Sequence, residues 1–352
     1  MNSLPPTAPD FQTQSLPHPI GYYVAPTQLG FVDRRTRLTV FGLLFILAGA
    51  LTGLMTLAMP VTLFITPQTP AMQQPVYSVV LTTAVYAALT AALVWLAIGC
   101  FLRRRWTRPI VLSLGVIAVT IGAITMVLLA MISSSMADLI RASIASVPTP
   151  AGAAPNPVPG DFFIYIIVGF TLAFTAVIYV FVPLIITVCF WPVSVKQTLE
   201  HFDPHPRWTD GVPTPVLGLA LKLWIIAASS LLILAYTAIS VGGTIIKAPA
   251  LIATALASAA FFAYVGLLVY RQRMLGWALM LVSSLGLCGL IILSSLQADW
   301  GQSLRELKMP ESQRALITPM IDSFATAGVA TGVLCALAVI LFAMRQKHYF
   351  DR

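Results

Sequence analysis

The stretch Phe101–Ser135, "FLRRRWTRPIVLSLGVIAVTIGAITMVLLAMISSS", decides the fold. Arg103, Arg104, Arg105 and Arg108 crowd its start, with Trp106 among them. From Pro109 to Ser135 no charged residue occurs. A helix rises about 1.5 Å per residue, and a bilayer core about 30 Å thick takes roughly 20 apolar residues to cross. The run is long enough to span. A basic cluster with an indole beside it is the signature of the positive side of a membrane helix.

Working outward, the same pattern recurs along the chain. Apolar runs fall at 38–66, 76–102, 109–135, 162–190, 216–244, 250–270, 274–297 and 319–344. Backbone groups in lipid must pair within their own segment, so these runs predict helices. The fold expected is an all-α integral membrane protein of eight transmembrane helices. Composition agrees: 58% of the 352 residues are hydrophobic and 9% charged, against about 25% charged in soluble domains.

The charges also give an orientation. Arg34, Arg35 and Arg37 precede the first helix, and Arg103, Arg104, Arg105 and Arg108 follow the second. Lys196 and Arg207 follow the fourth, Arg271 and Arg273 the sixth, and Arg345, Lys347 and Arg352 the eighth. The other face holds Arg141, Lys247, Arg305, Lys308 and Arg314. Basic residues collect on the cytoplasmic side, so both termini are expected there, in a cell inner membrane. Trp106, Trp191, Trp208 and Trp277 fit an aromatic belt on that side, and Trp300 one on the other. The net charge of +8 is thereby accounted for, and no nucleic-acid partner is expected. The partners implied are the lipid bilayer, other membrane proteins or a second copy of the chain.

The two halves look alike. "FLRRRW" and "VYRQRM" both carry Arg-x-Arg. Aligned there, Ala87, Thr90, Ala91 and Ala92 match Ala255, Ser258, Ala259 and Ala260. "ISSSMADL" (132–139) and "LSSLQADW" (293–300) share Ser-Ser-x-x-Ala-Asp. Two four-helix pseudo-repeats are expected; four crossings being even, they point the same way across the membrane. The divisions are a disordered Pro-rich cytoplasmic tail over 1–33 and a first half over 34–193 with an outer Pro-rich loop at 136–161. A cytoplasmic linker with a short helix follows over 194–214. The second half is 215–352, with an outer loop at 298–318.

The linker holds the densest polar chemistry. It reads "WPVSVKQTLEHFDPHPRWTDGVPTPVLG" (191–218). Ser194 with Gln197 fits a capping box opening a short helix, Asp203-Pro204 ends it, and Thr214 with Pro215 opens the next span. His201 and His205 have the four-residue spacing of a helical metal pair. Pro204 and Pro206 deny them one helix, and no cysteine or third histidine stands near to complete a four-ligand site. No metal or cofactor is expected. Lys196, Glu200, His201, Asp203, His205, Arg207, Trp208 and Asp210 instead make a candidate cytoplasmic interaction loop.

"VKQTLEHFDPHPRWTDGVPTPVL" (195–217) resembles a segment of uncharacterised bacterial multi-pass membrane proteins, which carry V-K-x-T-x-E, D-P, R-W-T-D and P-x-P-V-L between two hydrophobic halves. "HPIGY" (18–22) and "DRRTRLTVFG" (33–42) are similar to their N-termini. Such proteins often have cysteine where this chain has Leu199 and Val212. The resemblance implies a bacterial membrane protein and carries no activity.

Catalytic motifs are missing. No P-loop, dinucleotide fingerprint, nucleophile elbow or HExxH occurs. Cys100, Cys189, Cys288 and Cys335 lie singly in apolar runs. Lys222 is the one charge well inside a span, near enough to its end to snorkel outward. "GALTG" (Gly49, Gly53) and "GVATG" (Gly328, Gly332) are GxxxG motifs, which let helices approach closely. The expectation is a non-enzymatic scaffold or accessory subunit, the alternative an uncoupled transporter or channel for an apolar or lipid-like ligand between the halves.

Overall fold

The computed structural model describes residues 33–65, 76–145, 161–232, 238–241, 244–247, 249–297 and 311–350. The Pro-rich tail through residue 32, and most of the outer loops expected at 67–75, 136–161 and 298–318, lie outside these. Helices are α1 (Arg35–Ile65), α2 (Val76–Phe101), α3 (Thr107–Ala145) and α4 (Asp161–Ala176). A π turn (Val177–Phe181) joins α4 to α5 (Val182–Phe190), and α6 (Val193–Phe202) and α7 (Thr214–Ser230) follow. Strands β1 (Ala238–Val241) and β2 (Thr244–Lys247) pair antiparallel. The chain ends with α8 (Ala250–Tyr270), α9 (Met274–Gln297), α10 (Glu311–Gln346) and a 3-10 turn at Lys347–Tyr349.

Seven segments are long and apolar enough to cross a membrane, α4, the π turn and α5 counting as one. The expected fifth span, 216–244, departs from this. Its helix, α7, stops at Ser230, and 238–241 and 244–247 are paired antiparallel strands. The sequence carries the reason. Gly242-Gly243 sits between "AISV" and "TIIK", and two glycines flanked by β-branched residues favour a two-residue hairpin loop over continued helix. Two outer boundaries also move. α3 continues to Ala145, into the expected loop, and α10 begins directly after Pro310.

α3 is the spine. It packs along α4, the π turn and α5 on one side, and against α7 and α10 on the other. Pro183 explains the π turn. It has no N–H for the Tyr179 carbonyl, and its ring crowds that carbonyl, so the helix widens by one residue. Gly122 of α3 receives the displaced group: a Cβ there would overlap the Tyr179 carbonyl. One heptad earlier, a Cβ on Gly115 would meet Thr187 Oγ1. Near the far end of α3, Ser135 and Ser323 of α10 share a hydrogen bond of 2.6 Å.

α1 and α2 form a hairpin that packs chiefly against itself. Gly49 and Gly53 face α2, where Gly49 lies opposite Val94 and Leu93 and Gly53 opposite Thr90. Thr90 donates to Thr52 at 3.0 Å across this seam. The hairpin joins the rest at one end, where Leu38, Phe41, Leu96 and Cys100 bury against Ile110, Phe190 and Leu199. In the second half, Gly328 and Gly332 of α10 face Ser295, Ile292 and Cys288 of α9. Lys222 is half-buried on α7, within electrostatic reach of Cys288 and Cys335. Large apolar side chains cover the outside of the bundle: Leu57, Phe170 and Val282 are each about 70% exposed.

The turns α2–α3 and α8–α9 share one geometry. Arg103 (φ 52°) and Gln272 (φ 55°) are both left-handed. The N–H of Arg103 bonds Cys100 and that of Arg104 bonds Gly99, while Gln272 bonds Val269 and Arg273 bonds Leu268. Each pair is the Schellman pattern that closes a helix end. It matches Arg103 with Gln272, one residue out of the register suggested by Arg-x-Arg, and the Ser-Ser-x-x-Ala-Asp segments fall about two helical turns out of step with it. Each turn also needs a small residue where the incoming helix crosses the outgoing one. In the first, Gly99 lies against Thr107 and Trp106; in the second, Gly276 lies against the backbone of Leu268.

Candidate functional site at the polar end of the bundle

The segments around Arg34, Arg103–Arg108, the 191–213 connection, Gln272 and the C-terminal turn converge on one end of the bundle. Local sequence accounts for the connection. Pro192 stops α5 and caps α6, and Asp203-Pro204 ends α6. The expected capping box does not form: α6 has no side-chain cap. Ser194 Oγ instead accepts from Arg34 Nε at 3.4 Å, so the N-terminal segment has taken its hydroxyl. α7 likewise starts one residue early, with Pro213 as N-cap, Thr214 as first helical residue and no side-chain cap.

Asp203 is the hub. It is 3% exposed, and α6 delivers it beneath the α2–α3 turn. Arg207 grips both its oxygens, Nη2 to Oδ1 at 2.8 Å and Nε to Oδ2 at 3.1 Å. The Arg105 N–H donates to Oδ2 at 3.2 Å, and Arg104 approaches to 3.9 Å. The hydrogen bonds from Arg207 hold the carboxyl below the ordinary carboxylate range; burial opposes this, and Arg105 and Arg104 reinforce it. The same bonds push the Arg207 guanidinium upward.

A second tier surrounds Arg105. Its Nη2 bonds Glu200 at 3.0 Å, and its Nε lies 3.2 Å from Asp210. Lys196 is 3.8 Å from Glu200, and the Arg207 N–H closes on Asp210 at 2.8 Å. Arg108 donates to the carbonyls of Phe190 and Trp191 at 3.1 and 2.8 Å, which ties α3 to the end of α5. Phe202 lies between two guanidinium groups, Arg35 at 4.4 Å and Arg103 at 4.7 Å from its centroid. Tyr270 donates to the Trp208 carbonyl at 3.0 Å. Trp277, expected in the belt, instead bonds Ala343 of α10 at 3.0 Å, and Trp106 stacks on Trp95 at 4.1 Å.

The candidate loop residues thus divide. Glu200, Asp203, Arg207 and Asp210 are drawn into the arginine network, and Lys196 and Trp208 lie on its rim. His201 is on α6 with its ring edge-on to Phe202, while His205 lies beyond the helix end; both are exposed. Among the described residues no three His, Cys, Asp or Glu side chains are grouped to hold a metal ion. The sequence reading passed over Arg105 and Arg108 as site residues, taking them only as orientation signals. A run of arginines facing a linker with three acids was the available clue.

Beside the second tier lies a cavity of about 430 Å³, lined by Arg105, Arg108, Lys196, Glu200, Thr209 and Asp210, with Thr214 and Gln272 also on its wall. Thr209 is 2% exposed, and its hydroxyl has no partner among the described residues.

The apolar spans define the class: a multi-pass integral membrane protein. Compared with known proteins, the chain matches no family model, no curated protein and no solved structure.

Proposed function

We propose that the chain is a non-enzymatic scaffold or accessory subunit of a bacterial inner membrane, built as eight crossings in two similarly oriented halves with both termini in the cytoplasm. The use of its acids carries this reading. Glu200, Asp203 and Asp210 are each engaged by arginines and hold loops together. Groups committed to such pairs hold geometry; proton transfer asks instead for a titratable group poised near neutral pH.

The eighth crossing is supported by the chain ends. Arg34 meets α6, and Phe350 buries with Val216 at the start of α7, so both described ends reach the polar end. These ends favour an even number of passes, in which α7 and the β strands would make the pass that α8 returns. The shared turn geometry supports the two halves.

Capture of the full chain from native membranes, with proteins and lipids identified by mass spectrometry, tests the role. The expected result is a membrane protein or second copy retained in fixed ratio. A lone chain that passes an apolar solute across proteoliposomes would replace this reading with the carrier alternative.

A further inference from the structure

We propose that the cavity at the polar end binds a phosphate-bearing anionic headgroup, with Lys196 and Arg108 as its charged contacts and Thr209 and the Thr214 N–H as its neutral donors. The inference goes beyond the scaffold reading and stands without it.

Charge comes first. The lining holds Arg105, Arg108 and Lys196 against Glu200 and Asp210, a net positive site. Arg105 lies between both acids, at 3.0 and 3.2 Å, and occupies them. Lys196 is only loosely tied to Glu200, at 3.8 Å. Arg108 spends Nε and Nη2 on two carbonyls, and its Nη1 has no partner among the described residues. Glu200 also attracts Arg108, so the one net positive charge of the lining is shared between Lys196 and Arg108.

The neutral donors agree. The Thr209 hydroxyl is buried without a partner among the described residues, and such a group is costly to leave unpaired. One water, whose share of liquid volume is about 30 Å³, fills little of a 430 Å³ space. That space lies in the range of small-molecule sites, about 300–1,000 Å³. The opening turn of α7 has no side-chain cap; Pro215 lacks an N–H and that of Leu217 bonds Pro213, so Thr214, on the lining, offers the N–H at the positive end of the helix dipole. Gln272 keeps an amide side chain on the lining at φ 55°, a backbone state that glycine holds more easily.

Position names the source. The cavity sits where α3 and α7 begin, and the connection that lines it carries the exposed indoles of Trp191 and Trp208. That is the headgroup layer of a bilayer, where basic side chains meet anionic lipid. Inorganic phosphate offers the same chemistry without the acyl chains, and the two are separable.

The test uses the full chain, delipidated in nonionic detergent. Thermal unfolding is followed with dioleoylphosphatidic acid, with dioleoylphosphatidylcholine and with millimolar inorganic phosphate. Phosphatidic acid is expected to give a saturable rise in Tm, and phosphatidylcholine none. Lys196→Gln, at an exposed side chain, and Thr209→Val, of equal shape, are each expected to weaken the apparent affinity about tenfold, the loss of one charge-assisted or buried hydrogen bond. Lys347→Gln, another basic residue at this end, is expected to respond like the parent. A Lys196-dependent rise with inorganic phosphate alone supports the site and identifies free phosphate as sufficient. No rise with either phosphate probe, or a rise that both variants leave intact, overturns the proposal.

Discussion

Asp203 shows what one carboxylate does at the mouth of an apolar bundle. It is buried, doubly bonded to Arg207 and capped by the Arg105 N–H. Hydrogen bonds to charged groups are worth about 1.5–3 kcal/mol each, and loss of the acceptor strands Arg207. Asp203→Ala is expected to lower unfolding free energy by about 2 kcal/mol, measured in detergent by thermal or denaturant unfolding; an unchanged Tm would show that the pair is incidental. The pair also sets a pH dependence. The folded pKa is depressed below an unfolded value of about 3.9. Stabilisation is therefore complete above that value and fades as pH falls through it toward the folded pKa. Tm measured from pH 6 to pH 3 is expected to fall, and Asp203→Asn to flatten part of that fall. The sequence displayed Asp203 as a helix stop before Pro204. It did not display the hub, because a buried ion pair depends on which distant loop folds over it.

At the scale of elements, the long apolar spans were legible because lipid leaves the backbone few choices. The ends of α2, α6 and α8 were legible from proline and from Arg-x-Arg. Three features were not. The π turn needs the Tyr179 carbonyl to find a receiver on α3, and Gly122 lies more than fifty residues away in the chain. The Gly115–Gly122 heptad was overlooked for the shorter GxxxG spacing. The hairpin after α7 was written in "AISVGGTIIK", but hydropathy alone reads that as more helix. Gly122→Val is expected to cost about 2 kcal/mol, the usual penalty of overpacking, because the new side chain meets backbone that cannot swing aside. Pro183→Ala restores a donor for Tyr179 and is expected to relieve part of that cost in the double variant. Additive losses in this cycle would place the strain elsewhere.

For the whole molecule, topology is the open quantity and reporter fusions measure it. Fusions after Asn156 and Lys247 are expected outside, and one after Phe350 inside. An inside signal at Lys247 would leave α7 as a re-entrant helix and the chain with seven crossings, and Phe350 would then report outside. Removing positive charge is a less direct probe than the sequence implied. Arg105 and Arg108 bind the loops as well as carrying the positive charge that the proposed orientation places in the cytoplasm, so their substitution mixes insertion with folding. Arg37 and Lys347, which make none of those bonds, are the better choices. Changing both to Gln is expected to leave topology intact, since the remaining basic residues still outnumber those opposite.

The hairpin of α1 and α2 is clamped by Phe41, Leu96 and their neighbours at one end and packs mainly on itself beyond it. Mechanically it is a cantilever. A lateral load from the surrounding lipid bends such a beam most at its free tip, and the bending moment is greatest at the root. The root is where Phe41 meets Phe190, with ring centroids 5.2 Å apart, beside the arginine network. Spin labels at Leu57 and Phe170 are expected to give a broader distance distribution than labels near the clamp, and one that shifts when bilayer thickness is changed. Deflection at the tip would then reach the charged end as torque.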